Sequence, residues 1–202
     1  MNSPKIRIAV LDSNPKSRKH LVKLLGNETD LDVVKEATVN ASSEANFSET
    51  QARRLESVYS QLMTLLHRPD VALRLRTAPG NDEWSALQVL GHMAEMIPYW
   101  LGHCRTLIAA HEPPHFGRTL DAPERLAAVD PGALKQPEAL VSLLEAEIQA
   151  AVKALRQLTP AERRKTGIHV KRGKMTVDEI LEQLIVAHAE DHLVQVRAAL
   201  QA

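Results

Sequence analysis

Two histidines near the end of the chain, His188 and His192, have the spacing of a metal-binding pair. Residues four apart on an α-helix are separated by about 40° around the axis and about 6 Å along it. Two imidazoles placed in this way can bind the same divalent ion. The sequence therefore raises the question of whether another part of the chain supplies a third ligand.

The two histidines lie in a segment that the sequence predicts as one long helix, from about Thr176 to Ala199. Thr176 and Glu179 have the spacing of a capping box, which places Thr176 at the N-cap. One face of this helix carries mostly apolar residues at helical spacing: Val177, Ile180, Leu181, Leu184, His188, Gln195 and Ala199. An imidazole within such a stripe needs a polar partner when it is buried.

Three further long segments, at about 49–67, 85–110 and 137–158, carry apolar residues at helical spacing. Together with the last helix they predict a mainly α fold, a four-helix bundle with long crossovers. The crossover over 112–135 is rich in proline and contains a predicted short helix at 123–128. A loop or small hairpin is predicted over 166–175.

The second of these helices carries His92 close to its start. Ser85 and Gln88 have capping-box spacing at its N-terminus, and Pro98 is expected to kink the helix or to break one of its hydrogen bonds. Histidines on different bundle helices can converge, and three neutral imidazoles leave one position of a metal ion open. Imidazole ligands suit Zn²⁺, Ni²⁺, Fe²⁺ and Mn²⁺. Metal–nitrogen bonds of about 2.0–2.1 Å predict ligand nitrogens within about 4 Å of one another.

Other residues near the histidines have alternative roles. Glu95 shares a helix face with His92, so it is a candidate general base or a residue that orients the imidazole, with a solvated carboxylate as the alternative. His169 lies in the loop before the last helix and is expected to be exposed, although it could face the mouth of the site. Cys104 is expected to be a small buried residue rather than a nucleophile.

The basic residues Lys171, Arg172 and Lys174 could hold an anionic co-substrate, although a charged turn is usually only solvated. Tyr99 and His103 continue the face of His92 but lie too far along the helix to be expected as ligands. Asp191 could orient an imidazole, and a surface role is the expected alternative.

The N-terminal residues 1–38 have the pattern of alternating strands and a helix, unlike the long helices of the rest of the chain. Strands are predicted at Ile6–Leu11 and Asp32–Ala37, with a helix from Pro15 to about Leu25 between them. This stretch resembles the opening of a response-regulator receiver domain. Asp12 matches one position of that family's acidic pair, but Ser13 replaces the second acid and no strand with an acceptor aspartate follows. We therefore expect an incomplete receiver-like βαβ fragment without phosphorelay function, joined by a linker at 39–48 to the bundle at 49–202.

Two segments resemble the DinB superfamily: Trp84-Ser85-Ala86-Leu87-Gln88-Val89-Leu90-Gly91-His92, and the last helix with its signature around His188 and His192. The resemblance spans about Glu49 to Gln201. It implies a DinB-like bundle that holds one divalent metal on His92, His188 and His192. The family includes thiol-dependent S-transferases and a maleylpyruvate isomerase, which implies a low-molecular-weight thiol as co-substrate.

Composition narrows the range of partners. The chain has 25 basic and 25 acidic residues and one cysteine, so nothing favours binding to nucleic acid or to a membrane surface. The single cysteine fits a reducing compartment, and the N-terminus lacks a signal-peptide pattern. We expect a cytoplasmic protein with a small-molecule substrate.

A homodimer is predicted for two reasons. The last helix has apolar residues beyond its predicted stripe, including Ile185, Val186, Leu193 and Val196. The strands of the N-terminal fragment also have edges that require a partner. Both surfaces could instead be covered within one chain.

The sequence therefore supports two hypotheses of function. In the first, the chain is a divalent-metal-dependent enzyme, such as a thiol-dependent S-transferase or a related hydrolase or isomerase of small electrophiles. In the second, it is a non-catalytic metal-binding bundle that acts as a stress or interaction module.

Overall fold

The computed structural model describes residues 6–11, 31–37, 41–80 and 83–201, with side chains described from residue 47 onward. The chain divides into two compact units, Met1–Phe47 and Ser48–Ala202. All site residues named above lie in the second unit. Within the described part of the chain, the helices are too short or too polar to cross a membrane.

In the first unit, strands β1 (Ile6–Leu11) and β2 (Leu31–Ala37) pair in parallel, and the register shifts between Ile8 and Ala9. The strands lie where the sequence predicts them. The helix predicted between them, together with Asp12 and Ser13, falls outside the described residues. A parallel strand pair occurs in many folds, so the receiver-like fragment stays a prediction.

Helix α1 (Ala41–Leu66) begins within the segment predicted as a linker. Residues 41–48 of the segment predicted as a linker are therefore helical. That prediction relied on the small polar residues of this stretch, such as Ser42 and Ser43. Alanine and glutamate in the same stretch are good helix formers, and a helix that is already nucleated can extend through polar residues.

Helix α2 (Ala86–Ala109) lies in the bundle core, where it packs against two other long helices. The predicted capping box is confirmed: Ser85 accepts from the backbone N–H of Gln88, and the Gln88 side chain accepts from the backbone N–H of Ser85. Pro98 lies inside the helix, which continues as α-helix on both sides of it. Proline has no N–H, so it leaves out one hydrogen bond of this helix.

The connection after α2 contains strand β3 (His115–Phe116) and helix α3 (Pro123–Val129). Helix α4 (Pro137–Gln157) and the short helix α5 (Pro160–Arg163) follow. Strands β4 (Thr166–His169) and β5 (Gly173–Thr176) form the predicted hairpin, and β3 pairs in parallel with β4. The sequence did not predict β3, because a strand of two residues has no periodicity to detect.

The last helical segment has three parts: α6 (Val177–Ile180), a π-helical segment (Leu181–Val186) and α7 (Ala187–Ala199). The N-cap at Thr176 is confirmed, since it accepts from the backbone N–H of Glu179. The predicted long helix is confirmed in its extent, but its middle part is π-helical, which the sequence did not predict. A π-helical turn contains one extra residue, so it rotates the following residues by about 100° relative to a regular helix.

The rotation changes which face of α7 is buried. The residues that the sequence places outside the core stripe are buried within this chain: Ile185, Val186, Ala189, Leu193, Val196 and Leu200. Asp191 is exposed and Gln195 is half-buried. The helix surface that was expected to need a second subunit is therefore already covered. The homodimer stays a prediction that rests on the N-terminal strand edges alone.

Side chains of α1 hold the π-helical segment. Arg54 donates to Glu182 at 2.7 Å and to Glu190 at 2.6 Å, so it joins the π-helical segment to α7. The side-chain amide of Gln51 donates to Glu182 at 2.9 Å. Both glutamates are partly exposed, and each such ion pair contributes only modestly to stability. Together they connect α1 to the π-helical segment and to α7.

Gly91, the residue before His92, allows α2 to approach α3 closely. An added Cβ at Gly91 would lie 2.3 Å from the carbonyl oxygen of Ala128 and 2.7 Å from Leu134 Cδ2. A Cβ at Gly102, on the same helix, would meet no atom within 4 Å. Gly91 and Gly102 therefore allow a controlled comparison, because both lie in α2 but only Gly91 has a close neighbour at the position of a Cβ.

We expect Gly91→Ala to lower the free energy of unfolding by about 1–3 kcal/mol, because the backbone of α3 has to move. The matched Gly102→Ala should raise it by about 0.5–1 kcal/mol, because alanine favours the helix. Urea denaturation of both variants measures the difference. Equal stability of the two variants would show that α2 and α3 do not pack as described.

Candidate metal centre

The three predicted histidines converge in the bundle core. His92 comes from α2, and His188 and His192 come from α7. His92 and His192 are buried and His188 is half-buried. One ring nitrogen from each residue can be chosen so that all three atoms lie within 4.8 Å of one another. In the described part of the chain, this is the group of metal-ligating side chains that the fold brings together.

The geometry is close to that of a metal site but slightly wider. Nε2 of His188 lies 3.0 Å from Nε2 of His192. The full span of 4.8 Å exceeds the expected 4 Å. The ring centroid of His92 lies 5.0 Å from that of His192 and 5.8 Å from that of His188. His92 is therefore the ligand that has to approach the pair.

Gln195 determines which nitrogen His192 can offer to a metal. Nδ1 of His192 lies 2.9 Å from Oε1 of Gln195. A carbonyl oxygen only accepts, so Nδ1 carries the proton and Nε2 presents its lone pair toward His188. Metal-binding histidines commonly have such a partner on the other nitrogen. The sequence analysis missed this role and placed Gln195 in the apolar stripe, although its i+3 spacing from His192 could have indicated it.

Glu95 lies behind His92. Oε2 of Glu95 is 4.0 Å from Nδ1 of His92, which is buried and has no hydrogen-bond partner among the described residues. Arg118 holds the carboxylate through two hydrogen bonds of 2.6 and 2.5 Å, and its guanidinium lies 3.9 Å from the centre of the Tyr99 ring. At 4.0 Å the contact is too long for a hydrogen bond, so Glu95 would orient the ring of His92 only after the two groups move closer together. Because Arg118 already holds the carboxylate, this placement favours an orienting role over that of a general base.

The site favours neutral imidazoles, the form that binds metal. Burial, together with the neighbouring histidines, lowers the pKa of His92 to about 3. Burial also lowers the pKa of His188 to about 4 and lowers that of His192. All three rings therefore have free lone pairs at neutral pH. With a proton on Nδ1, Nε2 of His192 presents a lone pair 3.0 Å from Nε2 of His188, an arrangement that fits a divalent cation bound by both rings.

The histidines lie at the wall of a cavity of about 280 Å³. Its apolar wall includes Trp84, Met96, Trp100 and Leu184. The remaining lining residues are polar or lie at the mouth: His92, His188, His192, His169, Thr119, Leu120, Arg118, Arg125, Lys171 and Arg172. Since each histidine of the triad lines the cavity, a small molecule in it would contact the metal site directly.

His169 differs from its prediction, because it is buried and lines the cavity rather than being exposed. Its ring is tilted against Trp100, with 5.7 Å between centroids. Lys171 and Arg172 also line the cavity, whereas Lys174 lies outside its lining. Cys104 is buried, as expected.

The other residues that the sequence considered lie outside the cluster of possible ligands. Tyr99 and His103 pack against each other, with ring centroids 4.7 Å apart. Asp191 is exposed, and Gln195 takes the orienting position beside His192. The cavity residues that the sequence analysis missed are Arg118, Arg125, Trp100 and Met96. Arg118 and Arg125 come from the long crossover, where no spacing pattern relates them to the histidines.

Comparison with known families identifies the fold. The sequence profile of the DinB superfamily matches residues 51–196, a range that contains all three histidines. The chain belongs to the DinB superfamily. A comparison with curated proteins finds no match.

Among solved structures, the chain is similar to YfiT from Bacillus subtilis, which is described as a probable metal-dependent hydrolase with an unusual four-helix bundle topology. The TM-score is 0.64 at 18% sequence identity, and the similarity covers 76% of this chain and 86% of YfiT. At this identity the comparison supports the four-helix-bundle fold of this DinB superfamily member.

We expect His92→Ala, His188→Ala and His192→Ala each to lose stoichiometric binding of divalent metal, because two imidazoles hold an ion much more weakly than three. Metal analysis after dialysis measures the stoichiometry. The control is His111→Ala, which removes an exposed histidine and should leave binding unchanged. Full metal content in any triad variant would contradict the assignment of that residue.

Cys104 should react slowly with thiol reagents. Burial raises the pKa of its thiol to about 12, so at pH 8 the thiolate fraction is on the order of one in ten thousand. We expect alkylation by iodoacetamide to be slow in the folded chain and fast in guanidinium, as measured by mass spectrometry. Comparable rates in both states would show that Cys104 is accessible and active as a nucleophile.

Proposed function

We propose that the chain is a divalent-metal-dependent enzyme that acts on a small electrophilic molecule. The observation that carries the proposal is a triad of histidines open to a cavity. Structural zinc sites use four protein ligands, whereas catalytic sites use three and leave one position for water or substrate. In the described part of the chain, the cluster contains His92, His188 and His192 and no fourth ligand of the types His, Cys, Asp or Glu.

The residues present would hold the ion and the substrate in distinct ways. The three imidazoles would bind the metal, Gln195 would fix the tautomer of His192, and Glu95 would orient His92. A divalent ion in this position would supply a Lewis acid that makes water or a thiol nucleophilic near neutral pH. The tryptophans of the cavity wall would bind the apolar part of the substrate and exclude bulk water.

The metal is Zn²⁺ or Ni²⁺ in this proposal, with Fe²⁺ and Mn²⁺ as alternatives that imidazole ligands also suit. Two nucleophiles are compatible with the site. Water would make the enzyme a hydrolase, and the description of YfiT as a probable metal-dependent hydrolase supports this choice. A low-molecular-weight thiol would make it an S-transferase, which the resemblance to thiol-dependent members of the superfamily supports.

A metal-stabilised bundle without turnover is the second candidate. The observation that favours it is the placement of the ligands, since a metal on His92 and His188 would cross-link α2 to α7 within the core. Binding to the folded state alone stabilises it by mass action. A purely structural ion would raise the melting temperature but would leave no coordination position for an added ligand.

Substitution with Co²⁺ tests the proposal, because the absorption spectrum of cobalt reports its coordination. We expect the spectrum of the loaded chain to change when a small thiol or azide is added, and the change to be absent in His188→Ala. Hydrolysis of a panel of small esters and amides, and thiol consumption with small electrophiles, are measured on the same preparation. We expect turnover to fall by at least about a hundredfold in the variant, since the ion provides the main activation.

The outcomes distinguish an S-transferase, a hydrolase and a structural metal site. A cobalt spectrum that responds to a thiol, with thiol consumption, identifies an S-transferase. A response to azide with ester or amide turnover identifies a hydrolase. A spectrum that no added ligand changes, together with a large metal-dependent rise in melting temperature, would replace the enzyme with a structural metal site.

A further inference from the structure

The cavity beside the histidine triad is positively charged, although the chain as a whole is neutral. The chain has 25 basic and 25 acidic residues. The cavity lining includes Arg118, Arg125, Lys171 and Arg172, and it includes no aspartate or glutamate among the described residues. The distribution of charge around this cavity is therefore strongly asymmetric.

One of the four cations is neutralised by the protein itself. Arg118 is bound by Glu95 through two hydrogen bonds and lies 3.4 Å from a carboxylate oxygen of Glu124. Its guanidinium also covers the ring of Tyr99. Arg118 therefore serves to orient Glu95 and has little free charge for a ligand.

Two of the other three cations, Arg125 and Arg172, have neutral hydrogen-bond partners. Within the described ranges, none of the ion pairs involves Arg125, Lys171 or Arg172. Arg125 donates to the carbonyl oxygen of Leu120 at 2.8 Å, and Arg172 donates to the side-chain carbonyl of Gln183 at 3.1 Å. These bonds hold the side chains without cancelling their charge.

Lys171 is partly compensated by Asp121. A hydrogen bond with Thr119 is the largest cause of the lowered pKa of Asp121, and the charge of Lys171 contributes to the lowering. No ion pair among the described residues involves Arg125 or Arg172. They are therefore the principal cations available to a ligand, and Lys171 is secondary.

The turn that carries two of these cations is held in place. Nδ1 of the buried His169 accepts from the backbone N–H groups of Lys171 at 3.1 Å and of Arg172 at 3.2 Å. Gly173 completes the turn with φ of 74°, a conformation that favours glycine. His169 in turn packs on Trp100 and Phe116. The cationic turn is thus anchored to the wall of the cavity before any ligand binds, which reduces the entropic cost of binding.

Arg125 and Arg172 line the same cavity as the three histidines, so a ligand in this cavity lies between the cations and the triad. Three neutral imidazoles also leave the charge of a divalent ion uncompensated. An anionic ligand is the species that such a site favours.

We propose that this cavity binds a small organic carboxylate with a flat apolar body, in which Arg125 and Arg172 hold the carboxylate and Trp84 and Trp100 contact the apolar part. Lys171 supports the arginines. The cavity volume of about 280 Å³ limits the ligand to a small molecule. This inference rests on the proposed function in treating the ligand as a substrate, but binding itself can be measured without turnover.

The chain contains a built-in reporter for this cavity. Its only two tryptophans by sequence are Trp84 and Trp100, and both line the cavity. Intrinsic tryptophan fluorescence therefore responds to a ligand in this place. Benzoate is a suitable probe because it carries one carboxylate on a flat ring, and benzamide is its uncharged analogue of the same shape.

The experiment titrates the full-length chain with benzoate and with benzamide, both free of metal and loaded with Zn²⁺. We expect a saturable fluorescence change with benzoate in both forms and at least about tenfold weaker binding of benzamide. Arg125→Gln and Arg172→Gln should each weaken benzoate binding about fivefold. Calorimetry confirms the affinities, because Arg125 lies close to Trp84 and its removal changes the baseline fluorescence.

The matched control is Lys174→Gln, which removes an exposed cation of the same hairpin that lies outside the cavity lining. This variant should bind benzoate like the unaltered chain. Equal binding of benzoate and benzamide, or equal effects of Lys174→Gln and Arg172→Gln, would overturn the proposal. The proposal would also be overturned if benzoate gave no saturable fluorescence change. It would be overturned as well if benzoate bound only in the presence of Zn²⁺ and its affinity were unaffected by both arginine substitutions. Benzoate binding without any turnover in the enzyme assays would leave the anion site in place and reject the proposed function.

Discussion

The convergence of the three histidines depends on the rotation of α7 relative to α2. A regular helix that continued from Leu184 would direct His188, Asp191 and Gln195 toward the core. The π-helical segment inserts one extra residue and turns α7 by about 100°, so that His192, Leu193 and Val196 are buried instead. His188 and His192 then face His92 together, and Gln195 lies beside His192 as its hydrogen-bond partner. Short π-helical segments are often found at functional sites, and here the segment determines which imidazoles meet.

The π-helical segment is maintained by contacts on both of its sides. Leu181, Leu184 and Ile185 are buried in the core, and Arg54 and Gln51 of α1 bind the outer residues Glu182 and Glu190. Individual exposed ion pairs contribute little to stability, but a guanidinium shared by two carboxylates also restricts their positions. The histidine triad is therefore connected through α7 to α1, which contributes no residue to the triad.

The site combines a neutral triad with a positively charged mouth. Three imidazoles without a carboxylate ligand leave the charge of a divalent ion uncompensated, and Arg125 and Arg172 add to it. Glu95 is kept behind His92 by Arg118, away from the lining of the cavity. The site therefore attracts anions. Its histidines would be oriented by the neutral Gln195 and by Glu95, whose charge is paired with Arg118.

Much of the bundle could be predicted from local signals. The capping boxes at Ser85 and Thr176 and the apolar periodicity of α2 and α4 depend on neighbouring residues, so the sequence indicates them directly. The i, i+4 pair of histidines is also a local pattern. The start of α1 was missed because polar composition resembles a linker, and β3 was missed because its two residues become a strand only by pairing with β4.

The sequence by itself determined the residue types, their helices and the family pattern that joins His92 to the histidine pair. Only the tertiary structure decided the rotation of α7, because no local sequence pattern marks the π-helical segment, which is buried on one side and bound by Arg54 on the other. It also decided that His169 is buried and that Arg118 and Arg125 of the crossover reach the cavity. These residues are distant in the chain from the histidines, and no spacing rule relates them. Their proximity follows from the way the long crossover and the β4–β5 hairpin pack at the same end of the bundle.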